Sequence, residues 1–98
     1  MALGRVFHAL SDPTRREILR LLRQRDMTAG ELAEQFALAP STLSGHFNVL
    51  KAANLVLSER AGNRIVYSLN LSALEEALGA ALELFRVGES EQGAPKEK

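Results

Sequence analysis

The segment TAGELAEQFALAPSTLSGHFNVL, Thr28 to Leu50, decides the fold of this chain. Its apolar spacing predicts two short amphipathic helices, joined by a tight turn at Ala37-Leu38-Ala39, with Pro40 opening the second helix. One face of the second helix carries small or polar residues, Ser41, Gly45, Asn48 and Ala52. The opposite face carries large apolar residues, Leu43, Phe47 and Leu50. One face therefore anchors the helix in a core, and the other stays free.

Two helices joined in this way are typical of a helix-turn-helix, whose second helix enters the DNA major groove. The candidate DNA contacts on that helix are Pro40, Ser41, Thr42, Ser44, Gly45, His46 and Asn48. An asparagine suits adenine, and a threonine methyl can contact thymine. His46 lies toward the core on the flank of the helix. We expect it to be a packed histidine that hydrogen-bonds backbone or phosphate, rather than a metal ligand.

The segment after this helix distinguishes the arrangement from other helical domains. Two β-prone runs, Leu55–Arg60 and Arg64–Leu69, flank Ala61-Gly62-Asn63, where Gly and Asn tolerate positive φ. The pattern predicts a hairpin with a short loop. A hairpin in this position is a wing, and its tip offers three candidate contacts to phosphates or a neighbouring minor groove, Arg60, Asn63 and Arg64. The alternative is a structural hairpin with a solvated tip, and its place after the helix favours the wing.

Start signals predict helices on the amino-terminal side as well. A short helix spans Leu3 to Leu10, and Asp12 and Pro13 begin a second helix that ends near Gln24. Thr28 with Glu31 forms a capping box for the third helix. The second helix gathers basic residues on its outer face, Arg16, Arg20 and Arg23. For that face a solvated surface is favoured over a DNA contact.

The last helix carries more apolar surface than a small domain can bury. Ser72 with Glu75 reads as a capping box at its start, and it is predicted to end near Val87. With the first helix it is predicted to form a dimer interface, the alternative being that it folds back on its own domain. The predicted interface residues are Leu3, Val6, Phe7, Leu10, Leu74, Leu78, Leu82 and Phe85. Residues 1–87 are then one DNA-binding and dimerisation domain, and the polar residues 88–98 a disordered tail.

Composition narrows the function classes. The 98 residues suffice for one domain, and 12 basic residues balance 12 acidic ones. Arginines concentrate near the start of the chain and glutamates near its end. A protein with one face for nucleic acid can have this distribution of charge, and so can a protein with solvated helix faces. With no cysteine, only His8 and His46, and no phosphate loop or nucleophile motif, we predict no enzyme, catalytic residue, cofactor or metal site. No run is long and apolar enough for a membrane, and a cytoplasmic location is expected.

Four strings together resemble the ArsR family of bacterial winged helix-turn-helix repressors. They are FHALSDPTRREIL (Phe7–Leu19), ELAEQF (Glu31–Phe36), STLSGHFNVLKAANLV (Ser41–Val56) and GNRIVYSLN (Gly62–Asn70). The resemblance covers about Val6 to Leu78. It implies a mainly α fold with a β-hairpin, in the order of four helices, a two-stranded wing and a fifth helix. It also implies a homodimer through the first and last helices, which binds an inverted-repeat operator in double-stranded DNA and blocks transcription.

The resemblance also bears on what releases the DNA. Many members of the family sense metals through cysteines in the third helix, where this chain has Ala33 and Glu34, or through Asp and His on the last helix, which here has no His. The likeness is therefore to the small metal-independent autorepressors. Whether an inducer exists, and whether it is a small molecule or a protein, stays open.

Two positions depart from the family pattern. Ala39 replaces the usual Ser before Pro40, so the side-chain cap is missing or shifts to Ser41. Gly45 stands where longer polar residues are common. An alternative function is a winged-helix module that binds another protein, with DNA binding incidental. Sequence-selective duplex binding near physiological salt would distinguish the two functions.

Overall fold

A computed structural model gives the fold of the protein over residues 3–92, with side chains described from residue 3 to residue 86. The elements in chain order are α1 (Leu3–Leu10), α2 (Pro13–Gln24), β1 (Met27–Thr28), α3 (Ala29–Ala33), α4 (Pro40–Ala52), β2 (Val56–Ala61), β3 (Arg64–Leu69) and α5 (Leu71–Gln92). This order confirms the predicted winged helix-turn-helix. Over the described residues, no helix is both long and apolar enough to cross a membrane.

Side-chain caps set the starts of three helices. The carboxylate of Asp12 accepts a hydrogen bond from the Arg15 backbone N–H at 3.1 Å, and Pro13 occupies the first turn of α2, as predicted. At α3, Thr28 and Glu31 form the predicted capping box through hydrogen bonds of 2.9 and 3.1 Å. The predicted capping box at α5 is wrong, because the helix begins one residue before Ser72.

Asn70 caps α5 in place of Ser72. Its side-chain oxygen accepts hydrogen bonds from the Ala73 backbone N–H at 3.4 Å and from the Ser72 hydroxyl at 3.2 Å. Its backbone oxygen accepts the first helical hydrogen bond, from the Leu74 N–H. The Asn70 amide also donates to the Asn54 carbonyl at 3.0 Å, where Asn54 has a left-handed φ of 63°. The start of α5 is thereby tied to the end of the helix-turn-helix.

The sheet has three antiparallel strands in the order β1-β3-β2. The sequence analysis missed β1, two residues that pair Met27 with Tyr67 and Thr28 with Val66. In the wing, Ala61 pairs with Arg64, so the loop is only Gly62 and Asn63, and Gly62 alone takes a positive φ, of 66°. A glycine at the first of two loop residues suits the turn of a right-twisted hairpin.

The core lies where α4 packs against α1, α2 and the sheet. Its largest fully buried side chains are Ile18, Leu32, Leu50, Leu55 and Val56. The predicted inner face of α4 is confirmed, since Leu43, Phe47 and Leu50 are buried. The ring of Phe47 packs against Tyr67 with centroids 4.4 Å apart. Each such side chain contributes about 1.5–3 kcal/mol to stability, so α4 is firmly anchored.

Helix α5 divides into two parts. Ala77 in its first half is 1% exposed and Leu74 is partly buried, so this half packs on its own domain. Exposure then rises along the predicted stripe, to 44% at Leu78, 60% at Leu82 and 81% at Phe85. The helix continues to Gln92, five residues beyond the predicted end at Val87. Residues 93–98 of the predicted tail lie outside the described residues, and the prediction for them stays a prediction.

Candidate nucleic-acid interface

The outer face of α4 is a polar surface with no partner in the described part of the protein. Pro40 is the first helical residue, and Ala39 before it offers no side-chain cap, as its sequence suggested. The exposed residues of this face are Pro40, Ser41, Thr42, Ser44, Gly45 and Asn48. None of these polar side chains forms a hydrogen bond to another described residue. Their donors and acceptors are therefore available to an external partner.

Gly45 leaves an open space on this face. A Cβ added there would meet no atom within 4 Å, so crowding inside the protomer does not explain the glycine. A glycine inside a helix costs about 1 kcal/mol relative to alanine. The space at Gly45 lies outward, where a bound surface can approach the helix backbone closely.

The tip of the wing is a cluster of uncompensated positive charge. Arg60, Asn63 and Arg64 are all exposed, and none of their side chains forms an ion pair or hydrogen bond to a described residue. Arg64 stands directly after the two-residue loop, and Arg60 lies on the neighbouring strand opposite Ile65. Free guanidinium groups at the tip of a hairpin suit contacts with phosphates.

The basic face of α2 contrasts with the wing. Arg20 forms an ion pair with Glu17, and Arg16 donates to the Leu10 carbonyl at 2.7 Å. Beyond the helix, Arg25 lies 3.6 Å from the Glu31 carboxylate. Most of the positive charge on this side is therefore engaged within the protomer, which agrees with the solvated surface favoured from the sequence.

A buried arginine, which the sequence analysis missed as a site residue, supports His46 on α4. Arg15 is only 8% exposed. Its Nη1 lies 3.1 Å from His46 Nδ1, while Nε and Nη2 donate to the carbonyls of Ala9 and His8 at 2.9 and 3.0 Å. Its position in sequence was a usable signal, because it continues the buried stripe of Ile18, Leu19 and Leu22 back to the first turn of α2.

His46 is packed, as predicted, but against a guanidinium rather than backbone. Its side chain is 17% exposed, and its Nδ1 lies 3.9 Å from the Asp12 carboxylate. The pKa of Asp12 is held below its ordinary value, first by the hydrogen bond from the Arg15 backbone N–H and further by the charge of Arg15. Asp12, Arg15 and His46 thus connect the start of α2 to the middle of α4.

A second exposed surface is apolar and formed by α1 and α5. Of the predicted interface residues, Leu3, Leu10 and Leu74 are partly buried. Phe7 is 47% exposed on α1, and Leu78, Leu82 and Phe85 are exposed on α5. Val6 is 4% exposed and belongs to the core of its own protomer. An apolar surface of this kind on a small domain suits association with another protein surface.

The described residues contain no group of three or more His, Asp or Glu side chains placed to hold a metal ion.

Comparison with known proteins adds a family and a set of similar folds. Residues 12–58 match the family described as bacterial regulatory proteins of the arsR family. The transcriptional repressor SdpR of Bacillus subtilis is 42% identical over 89 residues, which span 91% of this chain and 99% of that protein.

Solved structures that share the fold include the following two. An ArsR-like transcriptional regulator from Rhodococcus sp. RHA1 is 33% identical with a TM-score of 0.71, over 97% of this chain and 94% of that one. A homodimeric winged helix-turn-helix DNA-binding domain from Mycobacterium bovis is 26% identical with a TM-score of 0.66, over 97% and 86% of the two chains.

Proposed function

The chain belongs to the arsR family of bacterial regulatory proteins, and we propose that it is a dimeric transcriptional repressor that binds double-stranded DNA. One observation carries the proposal. The outer face of α4 is polar and unpartnered, and it is followed at once by a wing whose arginines have no partner among the described residues. Proteins of this design place the second helix in the major groove and use flanking elements to hold the phosphate backbone.

Base reading falls to the exposed polar residues of α4. We assign it to Ser41, Thr42, Ser44 and Asn48, with Asn48 suited to the paired donor and acceptor of adenine. Gly45 allows the helix backbone to approach the groove. Since this face carries no arginine that could bind guanine with two hydrogen bonds, the sequence-dependent shape of the DNA contributes to selectivity.

The wing holds the DNA backbone. Arg60 and Arg64 supply charge to phosphates, and Asn63 at the loop supplies a neutral amide. These contacts carry no base preference of their own, but they fix the position of α4 in the groove. They also make affinity depend on salt, because each arginine that neutralises a phosphate releases condensed counterions.

Dimerisation uses the apolar surface of α1 and α5. A two-fold axis places the same surface of each protomer against its mate. Each dimer therefore buries two copies of four apolar side chains, those of Phe7, Leu78, Leu82 and Phe85. Two α4 helices then enter successive major grooves about 34 Å apart, which requires an inverted-repeat site. The homodimeric state of the similar domain from Mycobacterium bovis supports dimerisation.

We further propose that DNA binding needs no metal ion. The chain has no cysteine, and the described residues form no cluster of metal ligands. A titration of operator DNA in the presence and absence of a chelator tests this point. Equal affinities are expected, and a loss of affinity with the chelator would contradict it.

The test of base reading is Asn48→Ala on a panel of operators substituted at each position. Loss of the adenine contact should reduce discrimination at one position of each half-site by about 1–3 kcal/mol and leave the other positions unchanged. Asn63→Ala, which removes the same amide from the wing, is the matched control and should weaken all operators alike. Unchanged preference in Asn48→Ala would remove this residue from the base contacts.

A further inference from the structure

We propose that Arg15 is a positioning residue that holds His46 as a neutral ring with its Nε2–H free to donate to a DNA phosphate. The inference deepens the proposed function and rests on it. It assigns a chemical form to His46 and a role in DNA binding to an arginine that never touches DNA.

The form of the ring follows from the donors around it. A guanidinium is always charged and can only donate hydrogen bonds. Because Arg15 Nη1 lies 3.1 Å from His46 Nδ1, that nitrogen must be the acceptor. A neutral imidazole with an acceptor at Nδ1 carries its proton at Nε2. The Asp12 carboxylate, 3.9 Å from Nδ1, is too distant for a hydrogen bond to that atom.

The second nitrogen of the ring has no partner within the protomer. His46 Nε2 forms no hydrogen bond to any described residue. The side chain keeps 17% of its surface exposed, on a helix whose exposed face is the candidate DNA surface. A partly buried N–H without an acceptor is costly, so an acceptor supplied by the DNA backbone contributes to binding.

The arginine also fixes where His46 stands. Its other two nitrogens donate to the carbonyls of His8 and Ala9, which belong to the last turn of α1. The His8 carbonyl also accepts hydrogen bonds from the backbone N–H and the hydroxyl of Ser11. One buried guanidinium therefore joins α1, an element of the proposed dimer interface, to α4. The donor of His46 is positioned relative to the dimer, and not only relative to its own helix.

Two substitutions separate the two nitrogens of the ring. In His46→Asn the side-chain oxygen can replace Nδ1 as acceptor for Arg15, but the outward donor is lost. In His46→Gln the amide can replace the Nε2–H donor, but the acceptor for Arg15 is lost. Of the two variants, we expect His46→Asn to have the urea midpoint closer to that of wild type. We expect His46→Gln to have the DNA affinity closer to that of wild type. A purely structural histidine would give Asn the advantage in both measurements.

The loss in His46→Asn has a further signature. One donor is lost from each subunit, and affinity should fall about 10- to 100-fold per dimer. The fall should be the same for operator and scrambled duplex, since a phosphate carries no sequence. The slope of log affinity against log salt should not change, because a neutral donor releases no counterion. Affinity equal to wild type, a changed slope, or a loss confined to one base position would each overturn the proposal.

The form of the ring can be measured directly on the full-length protein. Nitrogen-15 NMR of the imidazoles at pH 7.5 should show His46 neutral and protonated at Nε2, while Arg15→Met should abolish this preference. The resonance is assigned by its disappearance in His46→Asn, which leaves His8 in place. A ring protonated at Nδ1, or at both nitrogens, would overturn the proposal. If wild-type protein selects no duplex, the proposed function fails, yet this spectrum still reports whether Arg15 holds the ring.

Discussion

Removal of one wing charge should alter both the strength of DNA binding and its dependence on salt. Arg64 stands directly after the two-residue loop of the wing, is exposed, and has no partner among the described residues. Arg64→Ala therefore removes a phosphate contact without disturbing an ion pair or the core. Because the repressor is proposed to be a dimer, each complex loses two such contacts.

The size of the effect follows from counterion release. Each neutralised phosphate contributes about −0.9 to the slope of log affinity against log salt, so losing two should flatten the slope by about 1.8. If the variant and the wild type bind equally at 1 M salt, this difference in slope makes the variant bind about 60-fold more weakly at 0.1 M salt and about 9-fold more weakly at 0.3 M salt. The loss should be equal for operator and scrambled duplex, since both present the same phosphates.

Fluorescence anisotropy with a labelled duplex, titrated at several salt concentrations, measures the slope. Arg23→Ala is the matched control, because Arg23 is also exposed and without a partner among the described residues but belongs to α2 and not to the wing. The control should keep the wild-type slope. If the slope of Arg64→Ala equals that of wild type, Arg64 contacts no phosphate and its assignment falls.

Three other substitutions test the dimer, the core and the cap of α2. Leu82→Glu should be a monomer in sedimentation experiments. Its protomer should unfold with a free energy within about 0.5 kcal/mol of wild type, because Leu82 is 60% exposed. The control Leu57→Glu, at a site on β2 that is 49% exposed, should stay dimeric. A dimeric Leu82→Glu would contradict the interface. Leu50→Ala should lose about 2–5 kcal/mol in urea unfolding, since Leu50 is fully buried, and a loss below about 1 kcal/mol would refute its place in the core. Asp12→Asn keeps a capping oxygen but cannot titrate. The hydrogen bond from the Arg15 backbone N–H lowers the pKa of Asp12 in the folded protein. The ionised carboxylate therefore stabilises the wild type at pH values above the ordinary pKa of aspartate, and this stabilisation is lost as the pH falls from there to the lowered pKa. Its urea midpoint should fall more steeply with acid than that of Asp12→Asn, and parallel profiles would exclude this role.

The elements that could be predicted from the sequence are those with local signals. Helix α4 was predicted from apolar residues at helical spacing and a proline at its start. Helix α2 was predicted from Asp12 and Pro13, and α3 from the capping box of Thr28 and Glu31. The wing was predicted from two β-prone runs around Gly62. Each of these signals acts through backbone geometry or side-chain spacing over a few residues, so no distant contact is needed to interpret it.

The features that were missed depend on distant partners. Strand β1 has two residues, too few to show alternation, and it exists because Met27 and Thr28 meet β3 about forty residues later in the chain. At α5 the cap is Asn70 and not Ser72, and the Asn70 amide also donates to the Asn54 carbonyl sixteen residues earlier in the chain. The role of Arg15 was missed because its sequence position places it on the buried face of α2 but does not show that His46 and the end of α1 surround it.

We propose that a dimer of this protein reads a defined site in double-stranded DNA. Selection of random duplexes by the purified protein, followed by titration of the enriched site at two salt concentrations, tests it most directly. We expect an inverted repeat with half-sites about one helical turn apart, bound far more tightly than scrambled DNA at both salt concentrations. No enriched motif, with weak binding that salt abolishes, would contradict the claim and leave α4 as a surface for a protein partner.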